Sequence, residues 1–132
     1  MKSRIAVICG SFHEDEIEQM LAWAKEEAKQ HSLELLEEIW VPGSMEVPLA
    51  LERNCSLPNV DGAICLGIIE KGETKHGLAM GNAVIKSIIE IQLKHNKPIG
   101  LGIIGPGAEP KHIQPRLEAH ARAAVSAVAK ML

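Results

Sequence analysis

The sequence predicts a three-layer α/β/α sandwich built on a four-stranded parallel sheet. Two observations carry this. Short apolar runs alternate with segments whose apolar residues fall at helical spacing, giving the order β-α-β-α-β-α-β-α over 132 residues. No linker, repeat or low-complexity stretch interrupts that alternation, so residues 1–132 read as one domain with right-handed crossovers.

The first strand, residues 4–9, is continuously apolar, as expected of a strand buried on both faces of a parallel sheet. Gly10-Ser11-Phe12-His13 is the loop at its carboxyl end. Residues 14–30 form a helix with Ile17, Met20, Leu21, Ala24 and Ala28 inward, and Glu14, Asp15 and Glu16 in its first turn suit the helix dipole. Residues 33–41 read as the second strand, broken by Pro42-Gly43. Ser44 is placed to cap a short helix over 44–53, with Pro48 near its first turn, where a missing N–H is tolerated. The third strand covers 62–68. A helix over 78–95 carries Val84, Ile85, Ile88, Ile89, Ile91 and Leu93 on more than one face, so it is either buried or packed on another subunit. The fourth strand is 99–104. Gly105-Pro106-Gly107 then reads as a turn with anion-nest potential, and the last helix, 112–131, turns Leu117, Ala121, Ala124, Val125 and Val128 inward.

Composition narrows the function. Hydrophobic residues make up 46% and charged residues 23%, with net charge −3. No Lys/Arg run is present to grip nucleic acid, and with no Tyr, one Phe and two Trp there is no stacking platform for bases. Three widely spaced cysteines form neither a disulfide framework nor a metal-ligand pattern, and no metal site is expected. Cys9 and Cys65 read as small core residues in a reducing compartment. Neither a signal segment nor a membrane span is legible, so the expected location is the cytoplasm, away from any membrane.

In such a sheet the carboxyl-end loops share one rim, where ligands bind. That rim gathers Phe12, the 42–46 loop, the 70–76 loop and the 105–110 segment. The 70–76 loop has a glycine, a hydroxyl, two lysines and a histidine just before a helix, the parts needed to hold an anion beside a titratable imidazole. Each residue also has a plainer reading. Phe12 reads equally as a helix staple, Glu46 as a dipole complement, His76 as a solvated helix-start residue, and Gly72 and Gly105 as turn formers. His13, His31, His95 and His112 have no ligand spacing and read as surface. Nucleotide-binding glycine motifs and the hydrolase elbow are absent.

The segments Trp40-Val41-Pro42-Gly43-Ser44-Met45-Glu46-Val47-Pro48 and Leu66-Gly67-Ile68-Ile69-Glu70-Lys71-Gly72-Glu73-Thr74-Lys75-His76 together resemble the lumazine synthase family. The resemblance runs in order along nearly the whole chain. It includes Phe12, Pro98 to Ile103 and Arg116, with Gly105-Pro106-Gly107 and Gln114 similar to the archaeal variant. It implies a flavodoxin-like fold and a cofactor-independent condensation of 5-amino-6-(D-ribitylamino)uracil with L-3,4-dihydroxy-2-butanone 4-phosphate. His76 is then the proton-transfer residue. Gly72, Glu73 and Thr74 hold the phosphate, with Arg116 contributed by a neighbouring subunit. Phe12 stacks on the pyrimidine, Ser44, Met45 and Glu46 hold the ribityl chain, Ile68 and Ile69 read the uracil edge, and Leu101 lines the pocket from the next subunit. The family assembles as homo-oligomers, pentamers and in some members 60-subunit shells.

Some positions depart from the family pattern. Gly77-Leu78 follow the histidine where an aromatic or acidic residue and then Asp or Glu are usual. Glu70 stands where Ile is usual, and Arg122 is the nearest candidate for a lysine expected near Ala121. Two further readings follow from the same resemblance: an archaeal-type riboflavin synthase, and a non-catalytic ribityl- or flavin-binding or shell-forming relative.

Overall fold

A computed structural model describes residues 2–132. Its elements run β1 (Ser3–Gly10), α1 (Glu14–Ala28), β2 (Leu33–Leu35), β3 (Ile39–Val41), α2 (Val47–Cys55), β4 (Gly62–Glu70), α3 (His76–His95), β5 (Ile99–Ala108), α4 (Pro110–Ile113) and α5 (Leu117–Met131). The sheet is wholly parallel, in the order β2-β1-β4-β5, with β3 also paired to β1.

The sheet has five strands, not the four expected. The predicted strand 33–41 is divided, and its two pieces lie along the same edge of β1. Leu35 stands opposite Ile5 and Ile39 opposite Ile8, so residues 36–38 face only residues 6–7. The edge thus carries one extra residue, as in a bulge. Leu36 N–H still donates to the Ile5 carbonyl at 2.9 Å, so the interruption is confined to Glu37 and Glu38.

Strict alternation sends successive residues of β1 and β4 to opposite faces. Ile5, Val7, Cys9, Ile64, Leu66 and Ile68 pack beneath α1 and α5. Ala6, Ile8, Ala63, Cys65 and Ile69 pack beneath α2 and α3. Every inward residue expected of the first and last helices is buried. Full burial of a side chain such as Leu66 or Ile64 contributes about 1.5–3 kcal/mol. The three cysteines are free and buried, and burial pushes the Cys9 and Cys65 thiols up to about 12.

Two helices and one turn differ from expectation. Ser44 forms no side-chain cap; residues Ser44–Glu46 are a 3₁₀ turn, and α2 begins at Val47 with Pro48 in its first turn. The last helix is split into α4 and α5 by a 3₁₀ turn, Gln114–Arg116. Pro115 lies in that turn, where its missing N–H and ring oppose a continuous α-helix. Gly105-Pro106-Gly107 is part of β5, with φ of 107° at Gly105 and 91° at Gly107. On α3, Val84, Ile88 and Ile91 are buried, but Ile89 and Leu93 are exposed, Leu93 by 73%. The helix therefore has a second, uncovered apolar stripe.

Candidate active site

The carboxyl ends of β1 and β4 and the turn after β3 enclose an open, mainly apolar cavity of about 430 Å³. Each wall has a local origin. Phe12 stands in the loop after β1, 58% exposed and turned to the cavity instead of stapling α1. The 3₁₀ turn brings Ser44, Met45 and Glu46 to the opposite wall. Ser44 is 8% exposed, the one buried polar side chain among the described residues, while Met45 and Glu46 are open to solvent. Ile68 and Ile69 form the floor where β4 ends.

The rim after β4 follows from backbone demands. Gly72 has φ 65°, a left-handed conformation that costs a residue with a side chain about 1 kcal/mol or more. Thr74 Oγ1 accepts the backbone N–H of His76 at 3.2 Å, satisfying a free donor in the first turn of α3. His76 opens α3 and faces the cavity, and Met80, one turn on, lies on the same side. Gly77 has a steric reason: a Cβ there would collide with the Glu70 carbonyl. The residue after His76 is small because α3 starts hard against the end of β4.

Of the residues singled out in the sequence, Phe12, Ser44, Met45, Glu46, Ile68, Ile69, Gly72, Thr74 and His76 meet around this cavity. Glu73 is exposed beside it without lining it. Leu101 is 40% exposed on β5, away from the cavity. Arg116 lies in a second cleft with His112, His120 and the Gly105–Ala108 backbone, its guanidinium donating to the His112 carbonyl at 3.1 Å. Burial, reinforced by the Arg116 charge, lowers the His120 pKa below 6.5. Arg122 is committed elsewhere. Its guanidinium meets Glu118 at 2.8 Å, Glu26 at 3.2 Å and Glu27 at 3.3 Å, tying α5 to α1.

The sequence reading placed Glu70 and Lys71 on the rim without giving either a role, and did not place Gly77 or Met80 there; all four line the cavity. For Glu70 the signal was strand alternation, which carries it to the α1 side. The four histidines read as surface are all half-buried. His13 meets Glu70, His31 meets Glu27, His95 meets Glu52, and His112 Nδ1 accepts the Glu109 N–H in a capping box at α4. No group of three or more His, Cys, Asp or Glu among the described residues is arranged to hold a metal ion. No helix among them is long and apolar enough to cross a membrane.

A parallel α/β fold with an imidazole, a hydroxyl-bearing glycine loop and an aromatic ring around one cavity at its strand ends defines a small-molecule-binding protein of the flavodoxin-like class. The family model described as 6,7-dimethyl-8-ribityllumazine synthase matches residues 2–132, and the chain belongs to that family. It is 37% identical over 130 residues to the 6,7-dimethyl-8-ribityllumazine synthase of Staphylothermus marinus, covering 98% of this chain and 87% of that protein. Proteins of the same description from Metallosphaera sedula and Pyrobaculum arsenaticum are 35% and 36% identical, each over 97% of this chain and 85% of their own length. These descriptions lend no support to the riboflavin synthase and non-catalytic readings.

Proposed function

We propose that this chain condenses 5-amino-6-(D-ribitylamino)uracil with L-3,4-dihydroxy-2-butanone 4-phosphate to 6,7-dimethyl-8-ribityllumazine, releasing phosphate and water. The observation that carries it is the meeting of Phe12, Glu46, Thr74 and His76 around one cavity in a member of this family. The pyrimidine amine adds to the ketone carbonyl and water leaves as the imine forms. Phosphate is then eliminated, and ring closure with a further loss of water gives the lumazine.

His76 is the proton-transfer group, since imidazole exchanges a proton readily near neutral pH. Gly72, Glu73 and Thr74 hold the phosphate through backbone N–H groups and the hydroxyl. Phe12 stacks on the pyrimidine, Ser44, Met45 and Glu46 bind the ribityl chain, and Ile68 and Ile69 meet the uracil edge. Much of the rate enhancement then comes from holding two reactants in register.

Arg116 and Leu101 complete the site from a neighbouring copy in a pentamer, alone or as the unit of a 60-subunit shell. Two features support shared sites: both residues lie away from their own chain's cavity, and α3 carries an uncovered apolar stripe. The buried free thiols fit a cytoplasmic location. Incubation with both substrates, followed by lumazine absorbance, tests the reading. Product from the unaltered chain, formed far more slowly by His76→Ala, is expected; binding of both substrates without product at high protein concentration overturns it.

A further inference from the structure

One contact at the cavity joins two side chains that the reaction scheme leaves without a role. His13 precedes α1 in a left-handed conformation, φ 67° and ψ 48°, which residues other than glycine rarely adopt. Its side chain makes no cap to the helix. Instead the imidazole crosses to the end of β4, where Nε2 lies 2.7 Å from Glu70 Oε1. The approach is oblique to the ring N–H, so it is a close polar contact and not an aligned hydrogen bond. Nε2 is nevertheless shut off from solvent, and Glu70 is its nearest carboxylate.

Glu70 reaches this place through strand alternation. Ile68 packs on the α1 side of the sheet and Ile69 on the α3 side, so Glu70 returns to the α1 side. It lines the cavity while touching His13. The other side of the imidazole meets Phe12 edge-on, with ring centroids 4.6 Å apart and planes at 73°. Phe12 is 58% exposed, and this edge contact restrains its ring. Carboxylate, imidazole and phenyl ring form a chain from the end of β4 to the cavity wall.

We propose that His13 and Glu70 are a positioning pair that fixes the Phe12 ring as the stacking platform for the planar substrate. The inference rests on the assignment of Phe12 to the pyrimidine in the proposed reaction. Glu70 holds the imidazole, the imidazole holds the phenyl ring, and neither needs to touch the reacting atoms.

Calorimetric titration with 5-amino-6-(D-ribitylamino)uracil, and separately with inorganic phosphate, tests the pair. His13→Asn keeps a residue that tolerates the left-handed backbone and removes the ring. This variant and Glu70→Ala are each expected to weaken pyrimidine binding about three- to tenfold, leaving phosphate affinity unchanged. Glu70→Gln, which keeps the side-chain length and an oxygen to pack against the ring, is expected to recover most of the loss. The double variant Phe12→Ala with His13→Asn is expected to bind no more weakly than Phe12→Ala alone, because the pair acts through that ring. If Phe12→Ala weakens pyrimidine binding but His13→Asn and Glu70→Ala do not, the positioning role is wrong and the stacking assignment stands. If Phe12→Ala has no effect, the stacking assignment itself falls. Parallel loss of phosphate affinity in His13→Asn also overturns the proposal, since it means general disruption.

Discussion

Thr74 Oγ1 accepts the backbone N–H of His76 at 3.2 Å, so the glycine loop and the first residue of α3 are held as one turn. Removing that acceptor loosens the imidazole as well as the loop. Thr74→Val is expected to destabilise the protein by about 0.5–2 kcal/mol, the usual cost of a lost cap. Its kcat/KM is expected to fall more than the stability change alone explains. Thr74→Ser is expected to restore both. Thermal melts and steady-state kinetics on the two variants check this; a Thr74→Val enzyme with unchanged kinetics contradicts it.

His76 carries the proton transfers in the proposed reaction. His76→Ala is expected to lower kcat by about 10²–10⁴-fold, the range typical of a lost general acid–base group, with KM values little changed. Calorimetry on the variant separates this from lost binding. A KM rise with kcat intact would assign His76 to binding.

The proposed sharing of the site between subunits makes a stringent prediction. Arg116→Ala is expected to raise KM for the butanone phosphate by roughly 10- to 100-fold, in line with a charge-assisted hydrogen bond. KM for the pyrimidine should hardly move. Mixed oligomers refolded from Arg116→Ala and His76→Ala chains are expected to regain activity that neither has alone. Each such mixture contains junctions with one intact His76 and one intact Arg116. No recovery in mixtures that demonstrably co-assemble would place Arg116 in its own chain's site or outside the chemistry.

The uncovered stripe on α3 is expected to be the surface through which copies associate. Leu93→Glu puts a charge on a residue 73% exposed in the single chain. It should leave the monomer folded by circular dichroism and lower the oligomeric mass by sedimentation. Unchanged sedimentation would assign assembly to another face.

Two carboxylates are held in their charged form and lose that support in acid. Hydrogen bonds from His31, and next from Arg122, hold the Glu27 carboxyl below 4.5. Those from Lys94 and His95 do the same for Glu52. With the folded pKa depressed, the unfolded chain binds more protons as pH falls. The contribution is fully present above about 4.5 and is lost as pH drops through the folded values. Glu27→Gln and Glu52→Gln are each expected to flatten the fall in Tm below pH 4.5. A wild-type slope in both variants contradicts this.

The layered core was legible because it rests on periodicity. Apolar spacing in α1 and α5 named every fully buried residue there. Most of the cavity was legible through two sequence segments whose spacing the strands and turns preserve. Three features were less accessible. Pro115 breaks the last helix, a local signal outweighed by the apolar period on either side. The His13–Glu70 contact joins residues far apart in sequence, and neither has a ligand-like spacing. Glu70 was singled out only as a departure from the family pattern, although alternation along β4 marks its side. The α3 stripe has a period that fits burial and association equally well, so only packing distinguishes Val84 and Ile88 from Ile89 and Leu93.

The extra residue between β2 and β3 also bears on how the protein behaves at high concentration. An outermost strand presents unpaired N–H and carbonyl groups on which another chain can add a strand. Here that edge is cut into two three-residue pieces, with Glu37 and Glu38 at the break and Glu38 drawn to Lys25 at 3.8 Å. An incoming strand would find a displaced register and two negative charges where its ladder should continue. The irregularity that divides the predicted strand thereby guards this side of the sheet against runaway strand addition.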